Sequence, residues 1–174
     1  MHEVVNPFDL SVIGSVPTHD WDAVDAALDR AHRLARDRTQ WKKPHQRAAI
    51  LHRAMGIMKE RRDHLAFQIA NEGGKPLIDA RVEVDRAING MELCIHEIGS
   101  LRGTEIPMGL TAAGDGRLAW TTREPIGVVV AVSAFNHPLN LIVHQVAPAV
   151  AVRAAVLMGR GRNIIRIESN KLDW

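Results

Sequence analysis

The feature that most constrains the fold is a nearly continuous apolar run at residues 126–135 (IGVVVAVSAF), followed directly by Asn136, His137 and Pro138. A run of this length suits a strand that is covered on both faces, as in a parallel sheet with helices on each side. Pro138 favours the first turn of a helix, and apolar residues then recur at helical spacing as far as Val150. Strand, tight turn and helix in this order predict the first half of a βαβ unit and an α/β fold.

The segments before this unit have mainly helical patterns. Two short β-branched stretches in residues 1–17 are separated by turn residues, which predicts a hairpin. Further on, apolar residues recur at three- and four-residue steps behind residues that favour helix starts. These patterns predict helices over residues 20–38, from 44 onward, over 63–71 and over 76–99, and a short strand at 118–123. The chain is thus predicted to place a layer of helices before the strand–helix unit.

Length and composition exclude several classes of protein. With 174 residues, 46% of them hydrophobic, the chain is long enough for one domain with its own core. Its one cysteine, Cys94, excludes an internal disulfide and a thiolate zinc site. The sequence has neither an apolar run of about 18 residues nor a cationic leader, so we expect no membrane contact and a cytoplasmic location.

Positive charge is concentrated at the carboxyl-terminal end. Residues 1–152 carry 17 Lys and Arg against 18 Asp and Glu, a net charge of −1, whereas residues 153–174 carry five against two, a net charge of +3. This step predicts a boundary near residue 152 with a basic tail after it. Because no aromatic residues are interleaved with its arginines, we expect a disordered tail rather than a nucleic-acid site.

Several candidate motifs fail on spacing. The GGKP segment at residues 73–76 lacks the first glycine and the Ser or Thr of a phosphate-binding loop, so a helix end is the better interpretation. The GRGRNI segment at 159–164 lacks the third glycine and the preceding strand of a dinucleotide fingerprint. The nine histidines have no ligand spacing, so no metal site is expected. Cys94 falls on the apolar stripe of its helix, which favours a buried, inert thiol over a nucleophile.

Asn136 is the polar residue that we single out. Its carboxamide lies at the mouth of the predicted strand–helix turn, where it can donate a hydrogen bond to an oxyanion beside free backbone N–H groups of the helix. The alternative interpretation is a turn-forming and capping asparagine, which is the commoner use of this residue in such a place. The spacing by itself leaves both interpretations open.

Four segments of the chain resemble the amino-terminal third of the aldehyde dehydrogenase superfamily in order and spacing. They are NPFDLSVIGSVP at residues 6–17, NEGGKPLIDARVEVDRAI at 71–88, REPIGVVVAVSAFNHPLNL at 123–141 and HQVAPAV at 144–150. Together these segments are highly specific, and on them the chain is identified as a member of this superfamily.

The resemblance implies a Rossmann-like cofactor domain whose first strand and helix are residues 127–152, so that residues 1–152 form the amino-terminal part of such a domain. In the family, the asparagine that matches Asn136 stabilises the oxyanion formed when a catalytic cysteine attacks a small-molecule aldehyde, and hydride then passes to NAD or NADP. The family segment along the dinucleotide, which it contacts through its backbone, matches Val132, Ser133, Ala134, Phe135 and Asn136.

The resemblance also implies assembly and a substrate class. The strand pair near residues 118–123 looks like the one that family members use in oligomerisation, so a homo-oligomer is expected. His137 stands where an aromatic residue is more usual, and the following PLNL is similar to members that act on small polar aldehydes.

The resemblance ends abruptly near residue 152. The family continues with a strand and a Lys-Pro whose lysine holds the cofactor ribose, and neither is expected from Arg153 onward, although NIIRI at 163–167 is compatible with a short strand. The family's nucleophilic cysteine and glutamate base have no counterpart, and Cys94 matches neither position. A frameshift or an erroneous gene end would produce so sharp a change.

These departures predict an incomplete sheet, with an aggregation-prone or oligomeric chain as its consequence. Without a thiolate nucleophile the covalent reaction has no first step, so the fragment is expected to be inactive alone. The alternative function is a non-catalytic module that binds a nucleotide or a partner subunit.

Overall fold

The computed structural model describes residues 1–159, and in this range it confirms the α/β class. A hairpin comes first, then four helices, a second short hairpin and a strand–helix–strand unit. The elements are β1 (His2–Val5), β2 (Val12–Val16), α1 (Trp21–Arg36), α2 (Pro44–Glu60), α3 (Arg62–Gly73), α4 (Leu77–Glu97), β3 (Glu105–Ile106), β4 (Ala119–Trp120), β5 (Val128–Val132), α5 (Pro138–Ala151) and β6 (Ala155–Gly159), with 3₁₀ turns at Arg38–Gln40 and Ile98–Ser100.

The helix boundaries follow from the capping residues that the sequence shows. The Asp20 carboxylate accepts a hydrogen bond of 2.9 Å from the Ala23 N–H and so begins α1. Pro44 and Pro138 occupy first-turn positions of α2 and α5, where a missing N–H costs nothing. Gly74 ends α3 in the left-handed conformation with φ of 65°. The predicted interpretation of the GGKP segment as a helix end is therefore confirmed.

The core lies among α2, α3, α4 and α5. Each helix contributes side chains that are almost completely buried, represented by Leu51, Ile69, Val84 and Val143. Burial of each such side chain is worth about 1.5–3 kcal/mol relative to exposure. Helix α5 packs chiefly on α4 and also on α2, so the helical layer holds in place the helix that follows the predicted turn.

The sequence predicts no strand directly after α5, and this prediction is wrong. Strand β6 pairs with β5 in parallel, from Val128 opposite Ala155 to Val132 opposite Gly159. The short apolar stretch AVLMG lies between two arginines, so its strand pattern is weak in the sequence. It forms a strand because its backbone pairs with the N–H and C=O groups along the edge of β5. The sheet still has only two strands among residues 1–159, so the predicted incomplete sheet is confirmed. The NIIRI segment lies outside the described residues.

Two other expectations about strands need correction. Strand β5 is not covered on both faces within the described chain: Ala131 is buried, but Val130 and Val132 are 55% and 59% exposed. The strand predicted at 118–123 is limited to Ala119–Trp120, which pairs antiparallel with Glu105–Ile106. Because the partner strand has only two residues, the ladder of hydrogen bonds can include only two residues of the predicted strand. In the part of the chain that the structure describes, no helix has both the length and the apolar character to cross a membrane.

Candidate functional site

The turn between β5 and α5 is held at both of its ends. The Ser133 side chain is buried, and its hydroxyl donates a hydrogen bond of 3.2 Å to the carbonyl oxygen of Pro138. Gln145, on the second turn of α5, donates through Nε2 to the carbonyl oxygen of Val132 at 3.0 Å. The backbone between these anchors therefore has a defined path at the carboxyl end of a parallel strand, where α/β proteins commonly bind ligands.

Most of the predicted site residues face outward from this turn. Val132 and Phe135 are 59% and 68% exposed, Asn136 is exposed and Ala134 is half-buried, whereas Ser133 has the anchoring position already described. The Asn136 carboxamide makes no hydrogen bond to any described residue, and neither do the backbone N–H groups at 134–136. The turn thus presents unpaired donors toward solvent.

The amino end of α5 is different from what the sequence predicts, because its N–H groups are not free. Pro138 has none to offer, and those of Leu139 and Asn140 donate to Glu83 Oε1 at 2.9 and 3.1 Å. Glu83 projects from α4 and is completely buried, so a protein carboxylate occupies the place expected for a phosphate or an oxyanion. Any oxyanion stabilisation at this turn has to come from Asn136 and the backbone before the helix.

Lys75 connects this buried carboxylate to the turn. Its Nζ lies 2.7 Å from Glu83 Oε2, 2.8 Å from His137 Nδ1 and 3.3 Å from the carbonyl oxygen of Asn136. The ammonium donates to each of these atoms, so the His137 Nδ1 acts as acceptor and the ring proton sits on Nε2. Lys75 therefore balances the charge of Glu83 and, with the same ammonium group, holds the carbonyl oxygen of Asn136 and the ring of His137.

The loop that carries Lys75 is itself supported from the amino-terminal hairpin. Asn6 Nδ2 donates to Asn71 Oδ1 at 2.7 Å. A Cβ atom at Gly74 would lie 2.9 Å from Pro7 Cγ, so glycine is needed there for space as well as for its positive φ. The NPF and GGKP segments, which lie far apart in the sequence, thus act together to place the ammonium.

Sequence reasoning missed Glu83 and Lys75 as parts of this site. The available signal was the spacing of Glu83, which falls three residues after Ala80 and four before Ala87 on the buried stripe of α4. A carboxylate on an apolar stripe needs a partner, because burying an unpaired charge is costly. Its partners lie 8 residues away in Lys75 and 56 residues away in Leu139, and no helical period indicates them.

Cys94 lies away from the turn. It is on α4 eleven residues after Glu83, which at 1.5 Å per residue is a separation of about 16 Å along the helix. The side chain is half-buried against the core. Burial, and to a smaller extent the charge of Glu97, raises the pKa of the Cys94 thiol, so it is a poor nucleophile at neutral pH. Among residues 1–159, no three His, Cys, Asp or Glu side chains cluster as metal ligands would.

A parallel strand pair joined by a buried helix, with polar groups displayed at the strand's carboxyl end, defines an α/β protein of the ligand-binding type. Comparison with known proteins makes this class specific. The family model described as "Aldehyde dehydrogenase family" matches residues 1–159. The chain belongs to the aldehyde dehydrogenase family.

Individual relatives show the extent of the match. Over 158 residues the chain is 36% identical to aspartate-semialdehyde dehydrogenase 1 of Pseudomonas canavaninivorans, covering 90% of this chain and 33% of that protein. The crystal structure of aldehyde dehydrogenase 21 from Physcomitrella patens, in complex with the reaction product succinate, superposes with a TM-score of 0.85 at 31% identity, over 93% of this chain and 34% of the other.

A third comparison concerns the cofactor. Glyceraldehyde-3-phosphate dehydrogenase GapN of Methanocaldococcus jannaschii, complexed with NADP, has a TM-score of 0.80 at 33% identity, over 91% of this chain and 33% of that one. The chain thus spans about a third of the length of each of these proteins.

Proposed function

We propose that this chain forms the amino-terminal part of an NAD(P)-dependent aldehyde dehydrogenase and that the turn at residues 132–138 meets both cofactor and aldehyde. The observation that carries the proposal is the exposed carboxamide of Asn136 at the carboxyl end of β5, which has no hydrogen-bond partner within residues 1–159, while the carbonyl oxygen of the same residue is held by Lys75. The family membership supplies the reaction class.

Asn136 is the catalytic residue in this proposal. Its side-chain N–H groups donate to the oxygen of the aldehyde as that oxygen gains negative charge, which in enzymes accelerates the reaction by about 10²–10³ per donor. The carboxamide is useful only if it is held still, and the clamp on its backbone by Lys75 supports that requirement.

The residues at 132–136 fit a dinucleotide that lies along the backbone. The backbone N–H groups at 134–136 have no acceptor in the described part of the chain, and the exposed side chains of Val132 and Phe135 offer apolar surface beside them. The bound NAD or NADP would accept the hydride that the substrate loses. Support for this choice of cofactor comes from the structural relative complexed with NADP.

The substrate in this proposal is a small polar aldehyde. With Nδ1 of His137 occupied by Lys75, Nε2 carries the ring proton and gives the site a polar donor next to Asn136. Two relatives carry names of enzymes for small polar aldehydes, aspartate-semialdehyde dehydrogenase and lactaldehyde dehydrogenase.

The 174-residue chain by itself is expected not to oxidise aldehydes. Its one cysteine, Cys94, lies eleven residues after Glu83 on α4, away from the turn that carries Asn136, and burial raises the pKa of its thiol. The direct test follows NADH or NADPH absorbance with lactaldehyde or succinic semialdehyde. Turnover above a blank without protein would overturn this part of the proposal.

Cofactor binding is tested by NMR titration of the ¹⁵N-labelled chain with NAD and with NADP. We expect saturable shifts of the amide signals at 133–136, including the Asn136 side chain, while the exposed Asn89 on α4 stays unchanged. Lys75→Met should weaken binding about tenfold, because it removes a charged hydrogen bond from the turn, and the exposed Lys59→Met should not. Shifts that rise linearly without saturation, or that spare the turn, would refute cofactor binding there.

The second candidate is a non-catalytic module that joins a partner subunit, including another copy of this chain. This function is supported by the exposed apolar surface of β5 and of the residues just before it, where Ile126 is 85% and Val130 is 55% exposed. Sedimentation velocity tests it: an oligomer that Val130→Lys dissociates, and that Val82→Lys on α4 leaves intact, favours this function. A monomer at all concentrations speaks against it.

A further inference from the structure

The amino ends of β5 and β6 border a second concave region, at the opposite end of the strand from Asn136. This pocket has a volume of about 430 Å³, with walls from the start of α2, the 3₁₀ turn after α4, residues 122–126 and the turn between α5 and β6. Five residues of β5 separate it from the turn described above, a distance of about 16 Å. The pocket plays no part in the proposed reaction.

Three arginines line this pocket, and one of them is buried. Arg47 is only 4% exposed and donates through Nη1 to the carbonyl oxygen of Ala151 at the end of α5, and its buried Nε atom has no hydrogen-bond partner within residues 1–159. The carboxyl end of a helix carries partial negative charge, which compensates part of the guanidinium charge. A buried polar N–H that remains unpaired is costly and marks a place where a ligand can gain a hydrogen bond.

The other two arginines, Arg123 and Arg153, have no acidic partner within residues 1–159. Among the described residues of the pocket wall Glu124 is the one carboxylate, and both of its oxygens accept from Arg38 at 3.1 Å. The guanidinium of Arg153 makes a cation–π contact with Trp41, whose ring centroid lies 5.2 Å away. The described part of the chain therefore leaves an excess of positive charge around one cavity.

Burial, with the neighbouring charge of Arg153, lowers the pKa of Arg47. Both effects disfavour the cationic form of Arg47, whereas the charge of an anion bound beside it would favour that form. The apolar walls, among them Ile98, Leu101 and Ile126, exclude part of the water that would otherwise screen such an interaction.

We propose that this pocket binds a small organic oxyanion, a carboxylate or a phosphate ester, between Arg47, Arg123 and Arg153. The fork of a guanidinium matches the oxygens of both groups, which is the chemistry the two ligand types share. The volume is within the usual range of about 300–1,000 Å³ for small-molecule sites and leaves room for an organic body beside the charged group. The apolar side chains supply the surface for that body.

The test is isothermal titration calorimetry of the 174-residue chain with three probes: malonate, glycerol 3-phosphate and inorganic phosphate. Sodium chloride at equal ionic strength is the control for general screening. We expect saturable binding of at least one probe and no saturable heat from chloride. The order of affinity between malonate and glycerol 3-phosphate identifies the carboxylate or the phosphate ester as the ligand type.

Arg47 packs against the carboxyl end of α5, so its substitution affects folding as well as binding. The test therefore uses variants of the two arginines at the rim of the pocket. Arg123→Gln and Arg153→Gln should each weaken binding about tenfold, while Arg117→Gln, an exposed loop arginine away from the pocket, should not. Circular dichroism verifies that each variant is folded. Absence of saturable binding by the folded wild-type chain, equal effects of chloride, or unchanged affinity in both rim variants would overturn the proposal. None of these results depends on whether NAD or NADP binds at the turn.

Discussion

The two ends of α5 are both held by buried charges, but in different ways. At the amino end, Glu83 accepts from two backbone N–H groups and is itself balanced by Lys75. At the carboxyl end, Arg47 donates to the Ala151 carbonyl and has no carboxylate partner within residues 1–159. Each charge has the sign that the helix dipole favours at its end. The amino end is therefore electrostatically closed, whereas the positive charge at the carboxyl end has no carboxylate beside it within residues 1–159.

The largest effect is expected at the closed end. Glu83→Ala leaves the Lys75 ammonium without its carboxylate partner and two backbone N–H groups of α5 without an acceptor, and breaking such a buried pair costs about 3–5 kcal/mol. Urea unfolding measures the loss. Glu92→Ala, at an exposed position of the same helix, is the matched control and should change the free energy of unfolding by less than about 0.5 kcal/mol. Equal effects of the two substitutions would mean that Glu83 does not hold α5.

The carboxyl end of α5 should tolerate the loss of its buried charge, Arg47, better than the amino end tolerates the loss of Glu83. Arg47→Met removes one charged hydrogen bond but also removes a buried charge that has no carboxylate partner in the described part of the chain. We therefore expect a loss of about 2 kcal/mol in the free energy of unfolding, smaller than for Glu83→Ala. The control on the same helix is the exposed Arg53→Met. If Arg47→Met destabilises as much as Glu83→Ala, the contrast between the two ends fails.

A third, smaller effect on stability is expected at Gly74, which precedes Lys75 and allows its loop to pack against the amino-terminal hairpin. Gly74→Ala forces a Cβ into the left-handed region and against Pro7, which costs about 1–2 kcal/mol. The adjacent Gly73→Ala meets no neighbour within 4 Å and should be neutral or stabilising by up to about 1 kcal/mol. Thermal unfolding of the pair distinguishes conformational strain from simple loss of glycine. A destabilised Gly73→Ala chain would show that the strain argument is wrong.

The smallest effect on stability is expected at Asp85, an exposed carboxylate on α4. Two hydrogen bonds from Arg62, both 2.6 Å, lower the pKa of Asp85 below its ordinary value near 3.8. Because the folded pKa is the lower one, the pair stabilises the fold above about pH 4, and this contribution is lost as the pH falls through the folded pKa.

Asp85→Asn should therefore cost about 0.2–1 kcal/mol at pH 7, since the pair is solvent-screened. Its difference from wild type should disappear toward pH 2, which urea unfolding across pH can follow. A difference that persists at low pH would assign the effect to something other than the ion pair.

The helices and the turn could be predicted from the sequence because their signals are local. Asp20, Pro44, Gly74 and Pro138 each act within one helical turn, and the apolar spacing between them reports the buried faces. The exposed position of Asn136 follows from the same turn. The roles of Asn136 and of residues 132–135 toward cofactor and aldehyde stay predictions.

Strand β6 and the pair Lys75–Glu83 could not be predicted in this way. The stretch AVLMG becomes a strand only because β5 lies beside it, and its pattern alone does not distinguish a strand from the start of a basic tail. The spacing of Glu83 on the apolar stripe of α4 indicates burial, but only the arrival of α5 supplies the two backbone N–H groups from which it accepts.

By itself, therefore, the sequence determined where the helices begin and end, the apolar strand at 128–132 and the turn that displays Asn136, since these depend on caps, periodicity and proline geometry. The tertiary structure decided which charges hold the ends of α5, which arginines around one cavity lack an acidic partner within residues 1–159, and that a second parallel strand forms. Those outcomes depend on hydrogen bonds between residues as far as 104 positions apart, and such contacts leave no period in the sequence.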